Sequence, residues 1–179
     1  MWTEHGFDAV LRVWPRIETH LRAAAAADAH PGAGPPVAVL DIDDTVLQCH
    51  GDACTPVPLG LKTVRALHQL GIPFYYVTAR RESHASQMWA RLQLRMLGLD
   101  AGCAGLRFMP RGTTDVRAYK AAARRSIAKA HKARVVLNMG DQWTDFAESS
   151  PEKGSTPSSH YGWLDGQHTL CVKAPHRLL

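Results

Sequence analysis

The stretch Val37-Ala38-Val39-Leu40-Asp41-Ile42-Asp43-Asp44-Thr45-Val46-Leu47 decides how the rest of the chain is read. Its apolar, β-branched start reads as a buried parallel strand, and it runs into Asp41, Asp43 and Asp44, followed by the hydroxyl of Thr45. In open α/β sheets ligands bind beyond the carboxyl ends of the strands, which puts Asp41 and Asp43 at a crevice rather than in a core. If the backbone stays extended there, these two side chains point the same way and Asp44 faces elsewhere. An acidic turn that ends a strand and caps a helix has the same composition, so the flanking sequence has to decide.

Downstream, Gln48 to Pro58 carries Gly51, Pro56 and Pro58 and reads as an irregular loop. Leu59 to Leu70 follows as a helix, with Leu61, Val64, Leu67 and His68 on its buried side and Gly71 at its end. Pro73 to Val77 is a second strand ending at Thr78, followed by Arg80 and Arg81, and Glu82 to Leu97 is a long helix closed by Gly98. Leu106 to Met109 makes a third strand, Asp115 to His131 a basic helix, and Val135 to Met139 a fourth strand that leads into Gly140-Asp141-Gln142-Trp143-Thr144-Asp145. Ser149 to Ser159 is a surface loop by composition, and Thr169 to Lys173 is a fifth strand. Strands alternating with helices imply a mostly parallel sheet covered on both faces.

Upstream, Phe7, Val10, Leu11, Trp14, Ile17 and Leu21 recur at helical steps and form one apolar face. Pro15 is expected to start a second helix there or to kink the first, and His30 to Pro36 reads as a linker. Residues 1–35 are therefore taken as a helical preface and residues 36–179 as the main domain.

The composition bounds the function classes. The chain has 179 residues, 45% hydrophobic and 21% charged, which suits a soluble globular protein with a sizeable core. No long uncharged apolar run suggests a membrane span, and Met1-Trp2-Thr3-Glu4-His5 lacks the basic-then-apolar pattern of a secretory leader, so an intracellular, cytoplasmic protein is expected. Cys49, Cys54, Cys103 and Cys171 lack zinc-ribbon spacing; Cys49 and Cys54 are near enough to bridge a loop, but reduced thiols are expected. A net charge of +5 suits an anionic substrate or partner without naming one.

Asp41, Asp43, Thr78, Asp141 and Asp145 all follow the carboxyl ends of expected strands, a convergence that turn chemistry alone does not explain. Like-charged carboxylates about 4 Å apart repel by about 4 kcal/mol at an effective dielectric near 20, so something positive belongs among them. An all-oxygen set with no His or Cys pair suits Mg²⁺. An exposed, metal-bound Asp is also able to attack phosphorus, a second carboxylate to move the proton, and Thr78 with a lysine to hold phosphoryl oxygens.

The order Asp41-Ile42-Asp43-Asp44-Thr45, then Thr78, then Lys120, then Gly140-Asp141 and Asp145 resembles the haloacid dehalogenase (HAD) superfamily of aspartyl-phosphate phosphatases. More narrowly, Tyr119-Lys120 with Arg124, and Asn138-Met139-Gly140-Asp141-Gln142-Trp143-Thr144-Asp145-Phe146, look like the branch of class B acid phosphatases and plant vegetative storage proteins. The resemblance implies an α/β fold: a three-layer Rossmann-like core with a mostly parallel sheet of about five strands, a minimal cap and an N-terminal helical extension.

It also implies roles. Asp41 is the nucleophile and Asp43 the general acid/base; Asp41, Asp43 through its backbone carbonyl, and Asp141 bind Mg²⁺, with Asp145 orienting metal water or Lys120; Thr78 and Lys120 bind the phosphoryl group. Arg80 is close enough in sequence to Thr78 to reach a phosphate, and Lys132 is the alternative to Lys120. A carboxylate at Asp43 favours phosphate-ester hydrolysis over dehalogenation. The partner is then a small-molecule or macromolecular phosphate ester. A weak storage or binding protein on the same fold is the alternative from another class, and a phosphatase of nucleic-acid ends a third. Arg117, Arg124, Arg125, Lys129, Lys132 and Arg134 read as a solvated basic face rather than a nucleic-acid surface, because no stacking aromatics interleave with them. Trp143 suits either stacking on a leaving group or packing beside the site, and Gln48, Cys49 and His50 lie where a loop would select substrates. A homo-oligomer is compatible with all of this and is not specified by it.

Overall fold

A computed structural model describes residues 4–27, 34–51, 53–146, 163–164 and 169–174. Chain order is helix α1 (Glu4–Ala26), strands β1 (Pro36–Leu40), β2 (Leu47–His50) and β3 (Ala53–Pro56), helix α2 (Pro58–Gln69), strand β4 (Phe74–Arg81) and helix α3 (His84–Met96). Then come β5 (Cys103–Met109), α4 (Val116–His131), β6 (Arg134–Gly140), a 3₁₀ turn (Trp143–Phe146), β7 (Trp163–Leu164) and β8 (Leu170–Lys173). The main sheet has the order β5-β4-β1-β6-β8-β7. Its first five strands run parallel, and β7 pairs antiparallel at the edge.

β1 is buried along its whole length, as a central strand covered on both faces must be. Alternate residues serve opposite layers. Ala38 and Leu40 pack with Ile17 and Leu21 of α1, Val64 and Leu67 of α2 and Leu94 of α3, whereas Val37 and Val39 pack with Ile127 of α4. The chain leaves β1 toward β4 and β5 on one side, then returns through α4 to β6 on the other. Right-handed crossovers on opposite sides of β1 require helices on opposite faces. The carboxyl end of β1 is therefore the topological switch point, where an open α/β sheet forms its crevice.

Several local expectations are corrected. Gln48 to Pro58 is not an irregular loop, because β2 and β3 form an antiparallel hairpin in which Cys49 lies opposite Cys54. That pairing brings their Cα atoms to 4.1 Å, and the two cysteines are joined in a disulfide rather than being free thiols. α1 is one helix that runs through Pro15, with no second start. The cost of an interior proline, about 3 kcal/mol, is offset by Val13 on one side of it and Ile17, Leu21 and Ala24 on the other, all buried. Trp14 only half-buries. The side chains of Phe7, Val10 and Leu11, part of the 30–36 linker and the 149–159 loop lie outside the described residues.

β4 does not stop at Thr78 but continues to Arg81, with a register irregularity between the two. His68 faces solvent rather than the core. Among the described residues no helix is long and apolar enough to cross a membrane.

Candidate active site

Asp41 leaves β1 still in sheet register, its N–H donating to the Met139 carbonyl at 2.9 Å. The chain then folds back sharply: the N–H groups of Val46 and Leu47 both donate to the Ile42 carbonyl, at 3.0 and 2.9 Å. Asp44 takes the left-handed conformation that this reversal needs (φ 53°), a region Asp tolerates better than most side chains. The turn packs against the start of α2, where Gly60 lies so near Thr45 and Val46 that a Cβ there would come within 2.6 Å of their backbone.

Lys120 comes from α4 and is only 3% exposed. Its Nζ donates to Asp41 Oδ1 at 2.9 Å and to Asp145 Oδ1. Position along the helix explains this: Lys120, Ala121, Arg124 and Ile127 form the face turned to the sheet, while Arg117, Arg125 and Lys129 are exposed. The basic helix is thus divided, and Lys120 and Arg124 do not belong to a solvated face. Lys132 caps the far end of α4, ahead of the amino end of β6, so it sits at the opposite edge of the sheet and is no substitute for Lys120.

Asp141 and Asp145 follow β6. The 3₁₀ turn is held by Asn138, whose Nδ2 donates to the Asp145 carbonyl at 2.8 Å, and by the Gln142 N–H, which donates to Asp145 Oδ2 at 3.0 Å. Thr45 and Gln142 donate to the Asp141 carboxylate at 3.5 and 2.6 Å. Gly140 is required by this packing. A Cβ there would overlap the Asp145 side chain, which is buried and already bonded on both oxygens, so it has no room to yield. Gly140→Ala is expected to cost about 1–3 kcal/mol of stability by displacing Asp145; a melting temperature within one degree of wild type would contradict this reading of the turn.

One carboxylate oxygen from each of Asp41, Asp141 and Asp145 lies within 4.8 Å of the others, and all three residues are buried. Among the described residues three clustered carboxylates and the Lys120 ammonium, all ionised, sum to a formal charge of −2 in a buried space. Burial, then the neighbouring Asp145 charge, pushes the Asp41 carboxyl up to about 8 against the pull of Lys120. Burial opposes the Lys120 ammonium, yet Asp41 and Asp145 outweigh it and its pKa is raised. The donor set therefore fits a hard divalent cation: oxygen ligands only, and a charge deficit that such an ion brings to zero.

Asp43 stands apart from this group. Its carboxylate is 50% exposed and is gripped by the Arg80 guanidinium, with Nε at 3.2 and 2.9 Å and Nη2 at 2.6 Å. Thr78 is fully buried and its Oγ1 accepts the Arg80 N–H at 3.1 Å. Because Leu40 is in register with Tyr76, Thr78 stands level with the residue after Asp41 on the neighbouring strand. Beside Asp43 lies a cavity of about 430 Å³ lined by Arg80, Arg81, Trp89, Gln93 and the hairpin residues Cys49 and Gly51. Trp143 is 42% exposed, with Lys173 Nζ 5.7 Å from its ring centre.

The fold thus brings together Asp41, Lys120, Asp141 and Asp145 as one buried cluster and Asp43 with Arg80 as a half-exposed pair. Gln93 was missed by sequence reasoning and had no sequence signal. Trp89 was missed too, although a Trp soon after a strand-ending Thr-x-Arg was visible. The family model described as HAD superfamily, subfamily IIIB (Acid phosphatase) matches residues 49–175. The match takes in Thr78, Lys120, Asp141 and Asp145 and begins after Asp41 and Asp43. No curated protein matches the chain.

Proposed function

We propose, for a chain that belongs to the HAD superfamily, subfamily IIIB acid phosphatases, and so is a phosphoric monoester hydrolase, that hydrolysis proceeds through a phosphoryl group carried on Asp41. The observation that carries this reading is Lys120, buried between Asp41 and Asp145 at the switch point of the sheet. A buried ammonium on a carboxylate oxygen aims that oxygen and favours its ionised form against burial, which is what an attacking carboxylate needs.

In the first step an Asp41 oxygen forms a bond to phosphorus while the ester P–O bond breaks, and Asp43 gives its proton to the departing oxygen. In the second, water attacks phosphorus, Asp43 takes its proton, and the bond to Asp41 breaks to release inorganic phosphate. Lys120 and Thr78 receive the phosphoryl oxygens, and Arg80, at the mouth, meets the remaining charge. Asp41, Asp141 and Asp145, with the backbone of Asp43, would hold Mg²⁺, which supplies electrostatic stabilisation of the phosphoryl oxygens when bound.

Three measurements test this. Rapid acid quench during turnover of an aryl phosphate should trap a phosphorylated protein that hydroxylamine cleaves, as an acyl phosphate is; a hydroxylamine-resistant phosphate would point to another nucleophile. Chelation should reduce turnover at least about tenfold and Mg²⁺ should restore it. The added ion should also raise the melting temperature without any substrate, since it binds the folded state alone. Activity indifferent to chelation, with no thermal shift, would sink the metal assignment.

A further inference from the structure

We infer that Gln93 is a positioning residue for proton transfer, holding Arg80, and through it Asp43, against the hairpin disulfide. This rests on the reading of Asp43 as the proton donor and goes beyond it. Gln93 sits on the sheet-facing side of α3 between buried Ala90 and Leu94 and is 9% exposed, a position where an aliphatic side chain is the ordinary choice. A buried amide is costly unless both its ends are bonded. Here both are. Its Oε1 accepts from Arg80 Nη1 at 2.8 Å, and its Nε2 points to the sulfurs of Cys54 and Cys49 at 3.0 and 3.8 Å. Arginine only donates, so the amide orientation is dictated: oxygen to Arg80, nitrogen to the disulfide.

Magnitudes say why the second contact matters. The Asp43–Arg80 pair is 50% and 19% exposed, so solvent screens it in part and it relies on how well Arg80 itself is held. Left alone, Arg80 would let Asp43 sample several rotamers. Anchored on Gln93 through Nη1, the guanidinium presents its other edge, Nε and Nη2, to Asp43. The anchor is itself rigid, since the disulfide closes a hairpin of four-residue strands whose Cys49 also lines the cavity beside Asp43. Proton transfer to a departing oxygen is sensitive to such placement, because a displacement of about 1 Å can cost about 10²-fold.

The test is leaving-group dependence. Esters of good leaving groups, such as 4-nitrophenyl phosphate, depart with little help from a proton, whereas alkyl phosphates need it in the rate-determining step. Gln93→Met, which keeps the shape and drops both bonds, should lower kcat/KM at least about tenfold for alkyl phosphates and less than about threefold for 4-nitrophenyl phosphate. A purely structural role would lower both by one factor, and that result overturns the proposal. Gln93→Glu keeps an acceptor for Arg80 but loses the donor to the disulfide, so its slope should fall between those of wild type and Gln93→Met; a slope as steep as that of Gln93→Met would also overturn it. The double variant Cys49→Ser/Cys54→Ser should steepen the dependence to an intermediate degree, and an unaltered slope would remove the disulfide from the device. Asp43→Asn separates the two readings. If it leaves the slope unchanged, Asp43 is not the proton donor and the inference falls with that reading. If it steepens the slope while Gln93→Met does not, the proton donor stands and the role of Gln93 alone is refuted.

Discussion

Asp41→Asn is expected to reduce phosphate-ester turnover by at least about 10⁴-fold while leaving the metal-free protein as stable as wild type or more so at pH 8. The first half follows from chemistry: an amide oxygen on this scaffold is a poor nucleophile and cannot carry a phosphoryl group through to hydrolysis. The second follows from electrostatics. Burial and Asp145 hold the Asp41 carboxyl at about 8, far above the ordinary value of 3.8. The folded protein therefore binds this proton more tightly than the unfolded chain does, so the ionised carboxylate works against folding. The penalty is absent below about pH 4, grows as pH rises, and levels off above about pH 8. Lys120, whose pKa is raised above its ordinary value of 10.5, contributes no slope in that window.

Thermal unfolding in chelator should accordingly show a wild-type melting temperature that falls between pH 5 and pH 8. Asparagine imitates the neutral acid at every pH, so the variant should lose most of that fall. Residual turnover within tenfold of wild type would end the case for a nucleophilic Asp41. A variant that melts well below wild type at pH 8 would show instead that the Lys120 contact to Asp41 outweighs burial and repulsion.

The parts legible in the sequence share one property: their signal is local. β1 announces itself as a β-branched run that ends in acid, α2 ends at Gly71 with φ 66°, and α4 opens on Asp115, whose side chain accepts the Ala118 N–H at 2.9 Å. The clustering of Asp41, Asp141 and Asp145 was legible too, because each follows a strand and parallel strands share one carboxyl edge, whereas Lys120, inside α4, was singled out by the family resemblance. The hairpin was missed although Gly51-Asp52 between Cys49 and Cys54 is a two-residue turn signal, with Gly51 at φ 59°. Two prolines obscured it. Pro56 closes β3 and Pro58 opens α2, positions where a missing N–H does no harm, yet together they read as a loop.

Gln93 and the cavity were illegible for a different reason. The partners of Gln93 come from β4 and the hairpin, and nothing in the period of α3 marks a glutamine bonded at both ends. The Arg80 grip on Asp43 likewise depends on β4 running on past Thr78, a tertiary continuation that the polar sequence Thr78-Ala79-Arg80-Arg81 conceals. Side-chain networks that join elements far apart in sequence are set by packing, and packing is what a single sequence does not display.

Lys120→Met should combine a large loss of stability with a large loss of activity, and a divalent ion should separate the two. Lys120 is bonded to both Asp41 and Asp145, with side-chain exposures of 4%, 7% and 3% for the three groups. Removing one partner of a buried ion pair leaves uncompensated charge and costs about 3–5 kcal/mol, because the surviving carboxylates have lost water and gained nothing in return. For a chain of this size that corresponds to a fall of roughly 10 °C in the melting temperature of the metal-free protein.

Methionine nearly matches the lysine stem, so packing against α4 is kept and the fall measures charge rather than a cavity. Mg²⁺ should recover a substantial part of the stability, because it meets the same carboxylate oxygens and the variant site carries one more uncompensated negative charge. It should not recover turnover, which is expected to stay about 10²–10³-fold below wild type, since no ammonium remains to receive the phosphoryl oxygens as charge moves in the transition state. Chemical denaturation with and without the ion, beside kcat on an aryl phosphate, gives both readouts from one preparation. If Mg²⁺ restores activity along with stability, Lys120 serves only to neutralise Asp41 and Asp145; if the variant is as stable as wild type in chelator, the carboxylates are not held ionised by Lys120 at all.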